Sequence, residues 1–332
     1  MRHHRTVDRS ASRTALLAVP VVAALLTGCA AAAPADASPT AGASRASTAG
    51  TASSTASGAA AQHGRETALD LAALEQRYDA RLGVIATDTA TGRTVTWNAD
   101  ARFAHASTLK ALAAGLVLKR EGVAALDDPV AIPAAPLIDY SPVTEQHAGG
   151  TMTLGDVAAA AVELSDNTAG NLLFERLGGV DALQRELRKL GDRTTRVDRP
   201  EPELNTATPG DSRDTSTPRA LVSDLRSLAV GGRGAALAKP ERTALLGWLD
   251  GSQTGSTLIR AGLPTGWTAG DKSGAAGYGT RNDLAVVHPP NGAAPIVIAV
   301  LSSRDATGDA DADYDDALIA AAASAALAAL RG

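Results

Sequence analysis

The order of the predicted secondary structure elements is the feature that most limits the fold of this chain. A hairpin signal at Thr89-Ala90-Thr91-Gly92 is followed by helical patterns up to about residue 249, then by three strands and an Ala-rich helix. The five strands are predicted at 82–88, 93–97, 265–271, 281–287 and 295–301. Strands joined by short connections favour antiparallel pairing. The order therefore predicts a two-lobe α/β (α+β) fold with one five-stranded antiparallel sheet and an all-helical lobe.

The two ends of the chain are expected to build the sheet together. We assign about residues 65–104 and 255–332 to the α/β lobe and about residues 105–254 to the helical lobe. An N-terminal helix is predicted from Glu66 to Asp79 and a C-terminal helix over 313–330, both flanking the sheet. Clefts between lobes are common ligand sites, so we expect the active site between them.

The N-terminus reads as an export signal over residues 1–29. A basic start is followed by an apolar run, Ala15 to Leu26, which is too short to span a bilayer permanently. Leu26-Thr27-Gly28-Cys29 resembles a bacterial lipoprotein box, which implies that Cys29 is lipidated and becomes the mature N-terminus. An ordinary signal peptide cut within residues 30–37, with Cys29 discarded, is the alternative. Cys29 is the single Cys, so an internal disulfide is excluded.

Residues 30–64 consist almost entirely of Ala, Ser, Thr, Gly and Pro and show no hydrophobic periodicity. This composition is typical of a flexible tether. We therefore expect an exported protein, anchored by lipid to the outer face of the cytoplasmic membrane, with partial secretion as the alternative. The remaining residues, 65–332, would form the catalytic domain.

Charge and histidine spacing limit the possible partners. The net charge is −5 and the Arg residues are scattered, which gives no support to nucleic-acid binding. The six His show no spacing typical of metal ligands. We expect no metal, no cofactor, no nucleic-acid partner, and a monomer that acts on a small molecule.

Ser107-Thr108-Leu109-Lys110 opens an apolar helical run and carries the first catalytic signal. Ser107 and Lys110, three residues apart, share one helix face. A Lys amine that burial keeps neutral can take the proton of a Ser nucleophile, and the helix N-terminus offers N–H groups to an oxyanion. Only five of the 31 basic residues are Lys, so a Lys here indicates a place where Arg would not serve.

Three further stretches carry polar residues between or at the ends of predicted elements. They are Ser165-Asp166-Asn167, Lys272-Ser273-Gly274 with Arg281, and Glu201-Pro202-Glu203-Leu204-Asn205 in the long aperiodic loop 191–216. Each alone has a structural explanation, as a helix cap, a strand end or a solvated loop. With Ser107-Thr108-Leu109-Lys110, in this order, they resemble the class A serine β-lactamases. The resemblance covers residue 65 to the C-terminus.

The resemblance implies a role in acylation for five residues. Ser107 would attack the lactam carbonyl, and Lys110 would help to deprotonate it. Ser165 would pass a proton to the lactam nitrogen. Lys272 would add positive charge, and the backbone N–H groups of Ser107 and Ala275 would form the oxyanion hole. Whether Lys110 or Glu201 is the acylation base stays open.

The same resemblance implies roles in substrate binding and deacylation. Ser273 and Arg281 would bind the substrate carboxylate, and Asn167 its side-chain amide. Glu201 and Asn205 would hold the water that hydrolyses the acyl-enzyme.

Further features of the resemblance concern the rim and the loop. Tyr140 would edge the site. Arg199 and Asp214 would pair across the base of the loop, and the Glu201–Pro202 bond is predicted to be cis. Together these expectations describe hydrolysis of penicillins and cephalosporins, which confers resistance.

Two other functions share parts of this pattern. A D,D-peptidase or penicillin-binding protein would have Ser107-Thr108-Leu109-Lys110 and Lys272-Ser273-Gly274 but should lack the water site of Glu201 and Asn205. A lipid-anchored sensor would be acylated and remain so, and only turnover separates it from a hydrolase. A third reading, an inert surface lipoprotein, conflicts with the four motifs.

Overall fold

The computed structural model describes residues 64–332 of the chain. The predicted signal segment, the tether up to residue 63 and Cys29 lie outside the described residues. Within residues 64–332, no helix combines the length and the hydrophobicity needed to cross a membrane.

Ten strands and eight α-helices make up the described residues, besides several short 3-10 turns. In chain order the strands are β1 (Glu66–Ala68), β2 (Arg81–Asp88), β3 (Thr94–Trp97), β4 (Phe103–Ala104), β5 (Pro129–Ala131), β6 (Thr151–Thr153), β7 (Thr215–Ser216), β8 (Thr268–Ala276), β9 (Thr280–His288) and β10 (Ile296–Ser303). The helices are α1 (Ala72–Tyr78), α2 (Leu109–Glu121), α3 (Leu154–Glu163), α4 (Asn167–Leu177), α5 (Val180–Leu190), α6 (Pro218–Ala229), α7 (Lys239–Asp250) and α8 (Asp316–Arg331).

The main sheet has six strands in the order β1-β3-β2-β10-β9-β8. Its last five strands are antiparallel neighbours and correspond to the five strands predicted from the sequence, so the two-lobe α+β fold is confirmed. The predicted strand count is wrong by one. Glu66–Ala68 pairs in parallel with Thr94–Thr96 and forms β1, where the spacing of leucines predicted the start of a helix. Helix α1 begins only at Ala72, because residues 66–68 bond to β3 instead.

The sheet is apolar on both faces, and its alternation assigns the faces to two different cores. On β10, Ile298 and Val300 pack in one core with residues of α8, whereas Val297 and Ala299 pack in the other with residues of α2 and α6. Burying a side chain of this size stabilises the fold by about 1.5–3 kcal/mol. The two-residue period of the strand therefore directs alternate side chains to α8 on one face of the sheet and to the helical lobe on the other.

Helix α2 is the central helix of the helical lobe. Residues 109–118 are all buried, although the sequence predicted only one apolar face. The helix contacts α3, α4, α6 and α7, so no side of its N-terminal ten residues remains for solvent. Ser107, which lies just before α2, is therefore attached to a completely buried and closely packed part of the lobe.

Strand β8 carries Lys272-Ser273-Gly274 in its interior, not at its end as predicted. The strand continues to Ala276, and Ala275 and Ala276 pair with Arg281 and Thr280 of β9. The small residues over 273–277 show no alternation of apolar and polar side chains, so the predicted strand ended too early. Hydrogen bonding to β9, which the sequence does not display, extends the strand.

Candidate active site

Ser107 lies in a 3-10 turn, Ala106–Thr108, that joins β4 to α2. Ala106 has a positive φ of 48°, a conformation that a residue with a Cβ adopts rarely and that often marks functional sites. The Ser107 hydroxyl donates to Glu201 Oε1 at 3.1 Å. Asn282 of β9 donates from Nδ2 to the carbonyl of Ala104 at 2.8 Å, which holds the segment before the turn against the sheet.

Lys110 is completely buried one turn after Ser107. Its Nζ donates to the Ser165 carbonyl at 2.7 Å and to Asn167 Oδ1 at 2.6 Å, and lies 3.0 Å from Glu201 Oε1. Burial lowers the pKa of Lys110, and the charge of Glu201 opposes this shift. The same Glu201 oxygen thus contacts both the Ser107 hydroxyl and the Lys110 amine.

Ser165-Asp166-Asn167 connects α3 to α4. Asp166 caps α4 by accepting from Ala169 N at 2.9 Å, and it also accepts from Thr144 N at 2.9 Å. Ser165 has a positive φ of 61°. The Asp166 carboxylate therefore fixes the turn that presents Ser165 and Asn167 to Lys110.

Lys272 reaches the same turn from the sheet. Its Nζ is fully buried and donates to Ser165 Oγ at 3.0 Å. Burial and the nearby charge of Lys110 lower the pKa of Lys272 to about 7, while the buried carboxyls of Asp271 and Asp283 act in the opposite direction. Near neutral pH, Lys272 is therefore poised between its charged and neutral forms.

The residues predicted to bind the substrate carboxylate lie on the neighbouring strands β8 and β9. Ser273 Oγ lies 2.7 Å from Thr254 Oγ1, and Ala275 pairs with Arg281 across the two strands. The guanidinium of Arg281 donates from Nε to Asp316 Oδ1 at 2.6 Å and stacks 4.7 Å above the Tyr314 ring. Arg281 is therefore held in an ion pair with the first residue of α8. The sequence did not indicate this contact.

Glu201 is held in the loop 191–216 by two Asn side chains. Asn205 Nδ2 donates to Glu201 Oε2. Asn171 of α4 clamps the backbone of Glu201, since its Oδ1 accepts from Glu201 N and its Nδ2 donates to Glu201 O, each at 2.8 Å. The Glu201–Pro202 bond is cis, as predicted. Arg199 Nε lies 2.6 Å from Asp214 Oδ2, which confirms the predicted pair at the base of the loop.

Sequence analysis also missed Asn171 and Gly170, which lie near the site. Asn171 lies four residues after Asn167, on the same face of α4, and this spacing was an available signal. Gly170 gives Lys110 its space, because a Cβ at residue 170 would lie 2.7 Å from Lys110 Cε. No pattern in the sequence indicates that second constraint.

Tyr140 lies beside Asn167, with its side chain 61% exposed and a positive φ of 61°. Its carbonyl accepts from Asn167 N at 3.0 Å. The residue is therefore attached to the Ser-Asp-Asn turn while its ring faces solvent, a position that fits the predicted rim of the site.

A buried pair of carboxyl groups supports the start of the loop. Asp192 Oδ1 accepts from the backbone N–H groups of Thr194 and Thr195, at 2.6 and 3.0 Å. Asp224 of α6 is buried beside it. Burial, and then the charge of Asp192, raises the pKa of Asp224 to about 9 from its ordinary value of 3.8. At neutral pH Asp224 therefore keeps its proton and donates to Asp192.

This pair makes the stability of the protein dependent on pH. As the pH rises above about 4, the unfolded chain releases the Asp224 proton while the folded chain keeps it, so stability falls towards pH 9. Asp224→Asn does not titrate and still offers an N–H to Asp192. We expect its free energy of unfolding at pH 8 to exceed that of the wild type by on the order of a few kcal/mol, so that it melts at a higher temperature, with no difference near pH 4. Thermal unfolding followed by circular dichroism, with exposed Asp181→Asn as the control, measures this. An equal effect at both pH values would show that folded Asp224 does not retain its proton at pH 8.

Together the fold and the site match the arrangement expected of a serine hydrolase, with Ser107 in the turn before a central helix of the helical lobe, next to the sheet. Comparison with known proteins gives the family. Residues 66–330 match the model of the Beta-lactamase enzyme family. Beta-lactamase 1 of Bacillus cereus is 49% identical over 256 residues, 77% of this chain and 81% of that protein. A beta-lactamase of Amycolatopsis lactamdurans is 50% identical over 257 residues, 77% and 83% of the two chains.

Solved structures agree with the sequence relatives. The crystal structure of a halotolerant bacterial beta-lactamase has a TM-score of 0.76 and 46% identity, covering 80% of this chain and 99% of that one. A class A beta-lactamase from Clostridium kluyveri has a TM-score of 0.75 and 43% identity, covering 79% and 97%. The chain belongs to the class A β-lactamases.

Proposed function

We propose that this protein hydrolyses the β-lactam amide bond of penicillins and cephalosporins through a Ser107 acyl-enzyme, and thereby confers resistance to them. The observation that carries the proposal is the position of Glu201 Oε1, 3.1 Å from Ser107 Oγ and 3.0 Å from Lys110 Nζ. A carboxylate that contacts both nucleophile and amine can serve proton transfer in both halves of the reaction.

In acylation, Ser107 Oγ attacks the lactam carbonyl carbon and loses its proton, and the C–N bond then breaks. The hydroxyl donates to Glu201 and not to Lys110, a contact that supports Glu201 as its proton acceptor, with Lys110 as the alternative base. Lys110 can relay the proton towards Ser165, whose carbonyl and hydroxyl lie 2.7 and 3.5 Å from its Nζ. Ser165 Oγ, which also accepts from Lys272, then protonates the lactam nitrogen.

The developing oxyanion needs two N–H donors. Ser107 N would be 3.3 Å from a Cβ built on Gly274. The turn Ala106–Thr108, called the nucleophile turn below, therefore packs directly on β8 one residue before Ala275. This proximity supports the backbone N–H groups of Ser107 and Ala275 as the oxyanion hole.

Deacylation requires a water that is held and deprotonated. Glu201 supplies the base, and Asn205 supplies an acceptor, since its Oδ1 is buried and has no hydrogen-bond partner among the described residues. Asn171 keeps the Glu201 backbone in place. These three residues favour a hydrolase over a D,D-peptidase, which is expected to lack this particular water site.

Substrate binding is assigned to the remaining predicted residues. Ser273 and Arg281 would bind the substrate carboxylate, and Asn167 and Tyr140 would contact its side chain. Arg281 is anchored by Asp316 through Nε, and it pairs with Ala275 across β8 and β9.

The test is hydrolysis of a chromogenic cephalosporin and of a penicillin by purified residues 62–332. We expect turnover that a metal chelator leaves unchanged. Stoichiometric acylation without turnover would replace the proposal by the sensor or peptidase function. Loss on chelation that zinc restores would overturn the serine mechanism.

We further propose that the chain is exported and anchored through lipid on Cys29, with residues 30–64 as the tether. The position of the single Cys after Leu26-Thr27-Gly28 supports this. One diacylglycerol with an N-acyl group meets the requirement of more than one chain for stable anchoring.

In a bacterial host, Cys29→Ala is expected to move the protein from the membrane fraction to the medium. Fractionation followed by an activity assay measures this, with Ser38→Ala in the tether as the matched control. A wild type that is already soluble and begins after residue 29 would show that the signal is an ordinary one.

A further inference from the structure

His105 is fully buried two residues before Ser107, and the proposed reaction gives it no role. Both of its ring nitrogens face backbone carbonyls. Nδ1 lies 3.1 Å from the carbonyl oxygen of Ala106, and Nε2 lies 3.0 Å from that of Arg196. The ring therefore spans two segments that are 90 residues apart in the chain.

The two carbonyls belong to the segments that carry the two main catalytic groups. Ala106, with its positive φ, directly precedes Ser107. Arg196 lies in the loop 191–216, five residues before Glu201. The Ser107–Glu201 contact of 3.1 Å thus joins the same two segments that the imidazole joins.

The backbone of His105 reinforces this connection. Its N–H donates to the carbonyl of Asp214 at 3.1 Å, at the far end of the loop, and its own carbonyl accepts from Thr108 Oγ1 at 2.6 Å. Arg196 N in turn donates to the carbonyl of Thr215 at 2.9 Å. One residue therefore contacts the nucleophile turn and both ends of the loop.

The chemistry of the ring makes these contacts specific to His. Carbonyl oxygens only accept, and a neutral imidazole donates through one nitrogen, whereas an imidazolium donates through both. An apolar ring of the same size would leave the two carbonyls with no donor from this residue, whichever ring nitrogen carries the proton. An amide side chain carries a single NH₂ donor group, so it can serve one of the two carbonyls but not both.

We propose that His105 is a positioning residue for the hydrolysis, whose imidazole ties the nucleophile turn to the Glu201 loop and so sets the distance between Ser107 Oγ and Glu201. The proposal rests on the roles proposed above for Ser107 and Glu201. Displacement of a catalytic group by about 1 Å can cost about 10²-fold in rate. Arg196 lies in the loop that carries Glu201, and deacylation is the step in which Glu201 would activate water. Losing the contact between His105 and Arg196 should therefore slow deacylation.

Three variants separate the two contacts. His105→Phe removes both ring nitrogens, His105→Asn places an amide nitrogen near Nδ1, and His105→Gln places one near Nε2. Acylation and deacylation rates with a penicillin are measured by rapid quench and intact-protein mass spectrometry, with thermal unfolding in parallel. His288→Phe, half-buried at the end of β9, is the matched control.

We expect His105→Phe to slow deacylation by about 10- to 100-fold and to accumulate acyl-enzyme. His105→Gln should restore most of the deacylation rate, and His105→Asn should restore little of it. If His105→Phe does not fold, the difference in deacylation rate between His105→Gln and His105→Asn still tests the proposal.

Wild-type rates in folded His105→Phe, or equal deacylation in the Gln and Asn variants, would overturn the positioning role. A wild type that is never acylated, or never turns over, would instead overturn the proposed function. The two failures are therefore distinguishable in the same experiment.

Discussion

Ser107→Ala is expected to abolish β-lactam hydrolysis while the protein stays folded. Without the hydroxyl there is no nucleophile, and losing the nucleophile of a serine hydrolase costs on the order of 10⁶-fold in kcat. The Ala side chain fits the turn, because it only deletes the oxygen that donates to Glu201. Hydrolysis of a chromogenic cephalosporin and the thermal unfolding of the variant give the two measurements.

Ser223→Ala is the matched control, since Ser223 is exposed on α6 and far from the nucleophile turn in sequence. It should hydrolyse at the wild-type rate. Ordinary turnover by folded Ser107→Ala would assign the nucleophile to another residue.

Glu201→Ala is expected to separate the two halves of the reaction. Removing a general base typically costs about 10²–10⁴-fold, or roughly 3–5 kcal/mol of barrier. In acylation, buried Lys110 can still accept the Ser107 proton, because burial lowers its pKa and the opposing charge of Glu201 is gone. In deacylation, water has no replacement base. A penicillin-treated variant should therefore accumulate a covalent adduct on Ser107, visible by intact-protein mass spectrometry.

Glu203→Ala provides the control, because Glu203 lies in the same loop but is exposed. It should behave as the wild type and show little adduct. Lost turnover without an adduct would mean that Glu201 is needed for acylation as well, as its direct bond to Ser107 allows. Unchanged turnover would remove Glu201 from the mechanism.

The sequence could predict most of the site because its residues come in short, local motifs. Ser107 and Lys110 share a helix face by spacing alone, and Glu201 and Asn205 lie in one loop. The cis bond before Pro202 and the pair of Arg199 and Asp214 were also accessible through resemblance, and both are present.

What the sequence missed depends on partners that are distant in the chain. Asp316 holds Arg281, Asn171 clamps Glu201, and His105 joins Ala106 to Arg196. None of these contacts leaves a periodic trace, because each pairs a single side chain with a segment from another element. The same reason explains β1, whose residues bond to β3 although their spacing is that of a helix.

By itself the sequence determined the order of elements, the α+β class and the choice of candidate catalytic groups, because hydrophobic periodicity and motif spacing are local properties. Only the tertiary structure decided the burial, the pKa values and the mutual distances of these groups. It buries Lys110 and Lys272 completely, which lowers the pKa of both, and it brings Glu201 Oε1 to the Ser107 hydroxyl across 94 residues. Desolvation and distance arise only when separate segments pack together, and these two quantities set the reactivity of the site.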